Sequence, residues 1–379
     1  MMKKLIDKMR QPLLENSFYL YISHFADYFF SILLLPFIAR TLGPNELGHV
    51  VLAQTFSLLI LIIMEFGFSL TATREIAVLK NKKEALVRYL GKVFSFKLLL
   101  IPVVIILSFI IIMTFPVFQS RTHYIFIVLI GSIFQGMVPI WFFQGIERLK
   151  IVAISKIFFR LTGFIIIFIF VNDQEDGWIV LIGHTITSGL IFVYFTYSML
   201  KIVGRIKLSK FKHLKVIWNN TAWIFLLSII PVIFQNSAAF LLRLNISPFQ
   251  LGLYFGVFKI YRSFNTLYGP IGQAVYPRLI ASNAEDKVAS IKLKWKVFWV
   301  LLSLGVFFCF ILLFFSKQII LILLGNEYLE ASKTLQLFGL VLPLTAISHV
   351  LGRQWMLVKR NEKKYSIILI IGFLFLFIF

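Results

Sequence analysis

The feature that most restricts this chain is a recurrence. Apolar stretches of about 20 residues, the length a helix needs to cross the hydrocarbon of a bilayer, follow one another with only short polar connections between them. Inside hydrocarbon no water is available for hydrogen bonding, so a crossing segment must satisfy its own backbone, which a helix does unaided. On that rule ten full spans fall near residues 17–38, 49–73, 94–115, 124–145, 151–171, 178–200, 216–242, 249–277, 297–316 and 334–352, and an eleventh begins at Tyr365. The connections are too short to hold a folded domain. With 59% hydrophobic residues, 14% charged and 43 Phe, the chain is far from the roughly 25% charge of a soluble domain. Soluble enzymes, nucleic-acid binders and disulfide scaffolds are excluded. Cys309 is the single cysteine, which leaves neither an internal disulfide nor a cysteine cluster for a metal. The six His are scattered without metal-ligand spacing, so neither metal nor cofactor is expected.

The net charge of +22 would suggest nucleic acid in a soluble protein. Here the cations must first be placed against the spans. With the N-terminus on the cytoplasmic side, 31 of the 38 Lys and Arg fall in the N-terminal tail and in alternate connections, including the stretch from Arg74 to Lys97. The intervening connections hold Arg40, Arg121, Arg243, Lys317 and Lys333 only, and carry the acidic turn Asp173, Glu175 and Asp176. That asymmetry is the positive-inside pattern. It makes the basic connections topology determinants and gives a multi-pass protein with a cytoplasmic N-terminus.

The chain also resembles itself. Pro44-Asn45-Glu46-Leu47-Gly48 after the first span matches Pro248-Phe249-Gln250-Leu251-Gly252 after the seventh in Pro, Leu and Gly, at an offset of 204. At the same offset Arg74 meets Arg278, each at the inner end of a span. Six spans separate the copies, so both halves have the same orientation, a parallel repeat. The expected fold is an all-α integral membrane protein of two parallel, pseudo-repeated six-helix bundles. Residues 1–215 form the first bundle with a basic cytoplasmic linker and 216–379 the second. Shifting spans five and six by 204 predicts spans near 355–375 and 382–404, so the second bundle is expected to be incomplete, with about 11 of 12 helices present.

With this topology the sequence resembles the polysaccharide-unit (O-antigen) flippases of the multidrug/oligosaccharidyl-lipid/polysaccharide exporter superfamily. The likeness rests on Leu35-Pro36-Phe37-Ile38-Ala39-Arg40-Thr41-Leu42-Gly43-Pro44 running to Gly48, and on Glu65-Phe66-Gly67-Phe68-Ser69-Leu70-Thr71-Ala72-Thr73-Arg74-Glu75-Ile76-Ala77, the more specific of the two. Trp141-Phe142-Phe143-Gln144-Gly145-Ile146-Glu147 and Ala274-Val275-Tyr276-Pro277-Arg278 also fit. Together these pieces cover spans one to eight in the family's order, and the chain departs from the family at its C-terminus. The resemblance implies two six-helix bundles facing a central cavity in a bacterial inner membrane. The implied task is to move an undecaprenyl-pyrophosphate-linked oligosaccharide from the cytoplasmic to the periplasmic leaflet by alternating access. Polysaccharide polymerase and chain-length proteins become candidate partners, beside the lipid-linked oligosaccharide and the bilayer.

Ionisable residues inside spans are functional candidates, because each costs about 2.5–3.5 kcal/mol at a helix centre. Lys259 and Arg262 stand three apart in span eight and share a helix face. A diphosphate-linked headgroup is anionic, so these two are candidate cavity cations for substrate; the alternative is that they pair with Asp27 or Glu65, or snorkel, and only fix helix packing. Gly256, Gly269, Pro270 and Gly272 around them offer sites of bending. Asp27 and Glu65 are candidates for coupling transport to protons or Na⁺, since a carboxyl in a low-dielectric cavity exchanges protons readily. His24, three before Asp27, is a weaker candidate of the same kind.

Arg40, Arg74 and Arg278 read as interface anchors, and Trp141, Trp178, Trp218 and Trp223 as an aromatic belt. Gly131, Ser132 and Gly136 read as close helix contact. Nothing matches a nucleotide-binding loop. Two rival functions remain at this level. A drug/cation antiporter of the same superfamily would want an acidic cavity, against Lys259 and Arg262. A membrane glycosyltransferase or polymerase of the same pathway would want a sizeable outer loop for its catalytic groups, and the outer loops are short.

Overall fold

The computed structural model of the protein describes residues 2–210, 245–269 and 287–351, with scattered positions between and after them; side chains of the first helix are described mainly from Phe29 onward. Among the described residues every regular element is helical. They are α1 (Met2–Glu65), α2 (Phe68–Leu79), α3 (Lys83–Thr114), α4 (Thr122–Met137), α5 (Ile140–Gly145), α6 (Leu149–Phe170), α7 (Gly177–Val203), α8 (Pro248–Thr266), α9 (Lys287–Leu323) and α10 (Ser332–His349), with short 3₁₀ turns at Pro116–Phe118 and Asn326–Ala331.

Seven stretches of the described residues are long and apolar enough to cross a membrane. In α3 only 33% of the most apolar window is buried inside the protein, and Ile110, Met113, Phe158, Phe168 and Phe170 are among many large exposed apolar side chains. Apolar surface on that scale is a liability in water; the hydrocarbon of a bilayer is its solvent. The chain is a multi-pass membrane protein.

Expected spans one and two run through α1, which bends at Gly43 (φ 68°), a left-handed conformation that glycine adopts without a Cβ penalty. Spans three, five, six, nine and ten correspond to α3, α6, α7, α9 and α10, and span four to α4 with α5. Most of span seven, the end of span eight and the eleventh span lie outside the described residues. The connection expected from Arg74 to Lys97 is shorter than the sequence suggested. α3 begins at Lys83, so Arg88, Lys92 and Lys97 are helical rather than loop residues.

The chain divides into two compact units, residues 1–34 with 41–252, and residues 35–40 with 253–379. In the first, small residues set the helix spacing, as expected where lipid provides no hydrophobic drive between helices. Gly131 of α4 lies against Thr185 of α7, and Gly163 of α6 against Thr187 and the Gly183 carbonyl. Ser57 and Ser132 share a hydrogen bond of 2.7 Å between α1 and α4. In the second unit α9 packs on α10, with Gly339 against Leu312 and Gln336 donating to the Leu313 carbonyl at 3.0 Å. Arg40 belongs to this unit and does more than anchor an interface. Its guanidinium donates to the carbonyls of Leu321 (2.9 Å) and Ile322 (2.5 Å), two acceptors that the end of α9 leaves without helical partners.

Both repeat motifs lie in the first unit, and each matched residue has a physical reason to match. Pro44 follows the bend at Gly43 and Pro248 opens α8, first-turn positions where proline's missing N–H removes no helical bond. Ser247 and Gln250 cap α8 reciprocally, the Ser247 N–H donating to Gln250 Oε1 (3.1 Å) and the Gln250 N–H to Ser247 Oγ (3.2 Å). Leu47 and Leu251 are both fully buried.

Candidate functional site

The first unit contains two helix breaks that meet at one side chain. α1 ends at Glu65, Phe66 (φ 46°) and Gly67 (φ 75°) turn left-handed, and α2 restarts at Phe68. In a continuous helix the Met64 carbonyl would accept from the N–H four residues on; the turn removes that donor. α4 ends in a break too, at an extended Val138. Pro139 has no N–H to offer, and the Ile140 N–H donates to Val138 (3.0 Å), so the Gly136 carbonyl loses its helical donor too. Lys97, carried in by α3, is 1% exposed, and its Nζ donates to both orphans: Met64 O at 3.2 Å and Gly136 O at 2.5 Å. The face of Phe68 stands 5.2 Å from the same nitrogen. Gly136 is what lets the helices come this close, since a Cβ there would overlap the Met64 side chain.

The pieces beyond the breaks, α2 and α5, pack on each other. Gly145 lies against Ile76 and the Thr73 carbonyl, and Thr73 Oγ1 is 3.2 Å from Gln144 Oε1. Lys80 and Glu147 close the far end with an exposed ion pair of 3.0 Å. Trp141 is buried in this packing, 6.0 Å from the Phe94 ring, so it is core and not part of an interfacial belt. Two of the family-like sequence motifs, Glu65 to Ala77, the most specific, and Trp141 to Glu147, are thus the two broken-off helices with their breaks.

Of the expected coupling residues, Glu65 is the last residue of α1, immediately before its break, and is half-buried. It lies near enough to Lys97 to act on it electrostatically, although the Lys97 ammonium is hydrogen-bonded to main-chain carbonyls instead. The side chains of His24 and Asp27 lie outside the described residues.

In the second unit Lys259 and Arg262 share α8. The helix is not among the seven long apolar stretches; it mixes an aromatic face with charged and amide residues. Tyr254, Phe258 and Tyr261 all contact Phe338 of α10, at 5.5, 5.6 and 5.0 Å between ring centres. Lys259 and Arg262 take the positions beside that face, Lys259 half-buried and Arg262 exposed, close enough that their charges repel. Among the described residues neither makes an ion pair. One turn further on, Asn265 has a buried Oδ1 without a hydrogen-bond partner. The expected bending at Gly256 is not found. The helix is regular there, and the missing side chain makes room for the Tyr328 ring, 2.9 Å from where a Cβ would stand. The helix is interrupted at Leu267, before Gly269, while Pro270 and Gly272 lie outside the described residues.

Two charged residues were missed by sequence reasoning. Lys97 reads as one more loop cation by composition. Glu46 is 4% exposed, accepts a hydrogen bond from the Tyr124 hydroxyl and pairs with Arg121 at 3.3 Å. Its position in the repeat motif, where the second copy has the capping Gln250, was the available signal. Among the described residues no three His, Cys, Asp or Glu gather as a metal site requires.

The model of a family described as "Polysaccharide biosynthesis protein" matches residues 13–283. The chain is 29% identical over 366 residues to a "Putative O-antigen transporter" of Escherichia coli (strain K12), covering 94% of this chain and 86% of that protein. It is 23% identical over 379 residues to the "Capsular polysaccharide biosynthesis protein CapF" of Staphylococcus aureus, covering 95% and 90%. Among solved structures it matches the "Lipid II flippase MurJ, inward closed conformation" with a TM-score of 0.65 at 16% identity, over 91% of this chain and 76% of that one. At that identity the likeness is one of fold.

Proposed function

The chain belongs to the polysaccharide biosynthesis protein family, and from that premise we propose that it is a flippase for an undecaprenyl-pyrophosphate-linked oligosaccharide, the repeat unit of an O-antigen or related surface polysaccharide. It carries the unit from the cytoplasmic to the periplasmic leaflet of the bacterial inner membrane, with its own N-terminus cytoplasmic, and acts as a transporter rather than an enzyme. The observation that carries this reading is the likeness to the "Putative O-antigen transporter" over more than nine-tenths of the chain, on a fold shared with the lipid II flippase MurJ.

The residues support an anionic cargo. Lys259 and Arg262 are neighbouring cations without a described acidic partner, on a helix that mixes aromatic with charged and amide residues. A pyrophosphate leaving water needs charge-assisted hydrogen bonds to replace its hydration. Lys259 and Arg262 provide them, and the Asn265 amide oxygen accepts from a sugar hydroxyl. Such a pair disfavours the cationic substrate of a drug antiporter. Glu65 and Asp27, with His24, couple the cycle to a proton or sodium gradient. The polymerase and chain-length proteins of the same pathway receive the product.

The test uses the native host with this gene deleted, measuring surface polysaccharide together with complete lipid-linked oligosaccharide on the cytoplasmic side. The expected result is loss of the first and accumulation of the second, both reversed by the wild-type gene and not by one lacking Lys259 and Arg262. Intact polysaccharide with raised drug sensitivity would overturn the reading in favour of the antiporter.

A further inference from the structure

Lys97 has no place in the transport chemistry proposed above, yet it is among the most deeply buried charges described. A buried ammonium is ordinarily matched by a carboxylate. Glu65 is adjacent to Met64 and available for that role, and the ammonium is bonded instead to two main-chain carbonyls, Met64 O and Gly136 O. Both belong to the C-terminal turn of a helix, where the macrodipole is negative, and both are acceptors that a helix break has left without a donor. Discontinuous membrane helices use this ligand set, unwound carbonyls and helix C-terminal ends, to hold free monovalent cations. The aromatic wall around it is continuous: Phe68 over the nitrogen, Phe66 and Phe68 against Phe96 at 4.9 and 5.8 Å.

We infer that the junction of the α1–α2 and α4–α5 breaks is a monovalent-cation site, and that the ammonium of Lys97 fills it as a tethered ion. The site's ligand class is a primary ammonium or an alkali cation. The bound charge holds two otherwise unsatisfied helix ends together, and through them the orientation of the α2–α5 pair. Gly136 belongs to the site because no other residue lets α1 and α4 approach until both carbonyls reach one atom. The inference rests on the geometry of the first unit and stands apart from the identity of the substrate.

The experiment is a stability measurement, independent of transport. Wild-type protein and Lys97→Ala are purified in detergent and melted in choline chloride, whose cation is too bulky for the site, and in ammonium, methylammonium, potassium and sodium chlorides. The alanine variant should melt lower than wild type in choline, by on the order of 5 °C. It should regain at least half of that loss in one of the small cations, while wild type is indifferent to the exchange. An alanine variant as stable as wild type in choline would overturn the inference, as would a loss that none of the small cations reverses. Should the variant fail to accumulate, its yield in membranes of cells grown with and without methylammonium is read instead. Recovery with methylammonium supports the site, and equal absence in both overturns it.

Discussion

Gly48 and Gly252 are 204 residues apart in the chain and face each other in the folded protein, each against the proline that opens the other's motif. A Cβ on Gly48 would overlap the Pro248 carbonyl oxygen and stand 3.2 Å from the Gly252 nitrogen; a Cβ on Gly252 would overlap the Pro44 carbonyl oxygen and stand 3.1 Å from the Gly48 nitrogen. The reciprocity gives the sequence repeat a physical meaning. The two copies are matched because they are each other's packing surface, and backbone on backbone leaves no room for a side chain on either.

Gly48→Ala and Gly252→Ala should therefore each be costly, although Ala is the better helix former. Neither carbonyl can yield as a flexible side chain would, and overpacking of this kind costs about 1–3 kcal/mol, occasionally more. The propensity gain of about 1 kcal/mol offsets part of it. Because the two substitutions wedge the same contact, the double variant should lose less than the sum of the single ones. Melting curves of the three purified variants measure this; additive losses would mean that the two glycines act separately.

How far the molecule was readable in advance follows from what periodicity and composition record. They record solvent, so the spans that fall among the described residues and the Pro, Leu and Gly of the repeat were legible. They do not record partners. Lys97 looked like one of many inner cations because its burial depends on Gly67 breaking one helix and Pro139 another, and each is a weak signal alone. Gly256 looked like a hinge for the same reason: the sequence shows the absent side chain but not the Tyr328 ring that occupies the space. Glu46 was visible as a motif residue, while Tyr124 and Arg121, its partners, lie more than seventy positions away.

The α2–α5 pair should depend on its glycine and not on its ion pair. Lys80 and Glu147 are 40% and 60% exposed, and an exposed pair contributes about 0–1 kcal/mol. Exchanging their charges, Lys80→Glu with Glu147→Lys, should leave polysaccharide export at the wild-type level. Gly145→Ala should not. Its Cβ would stand 2.7 Å from Ile76 Cβ and 3.0 Å from the Thr73 carbonyl, forcing α5 off α2. Complementation of the deletion strain separates the two; equal export by both would detach this packing from function.

Lys259 and Arg262 give the sharpest test of an anionic cargo. If they bind the cargo as proposed, replacing either by Met removes a charge-assisted hydrogen bond worth about 1.5–3 kcal/mol, so flipping in proteoliposomes should fall on the order of 10- to 100-fold for each. Lys259→Arg should retain more activity than Lys259→Met. The half-buried position of Lys259 beside a repelling Arg262 also predicts that Lys259→Met will not destabilise the empty protein. Reduced flux at unchanged melting temperature is the expected pattern, and unchanged flux in both variants would remove these residues from the site.

Glu46 calls for the opposite pattern, in which stability is lost. Its carboxylate accepts from the Tyr124 hydroxyl, pairs with Arg121 and lies against Gly177, where a Cβ would overlap Oε1 at the start of α7. Helix N-termini favour negative charge, so one side chain ties the beginnings of α4 and α7 to the helix that follows Pro44. Glu46→Ala leaves the Tyr124 hydroxyl proton buried without its acceptor, at a cost of about 1–3 kcal/mol. The Arg121 contribution is smaller because that side chain is 35% exposed and partly screened. Glu46→Gln keeps an acceptor of the same reach and should lose much less. Adding Tyr124→Phe to Glu46→Ala removes the orphaned hydroxyl, so the pair should be more stable than Glu46→Ala alone. A double variant that melts below Glu46→Ala would show that Tyr124 is held by something other than this carboxylate.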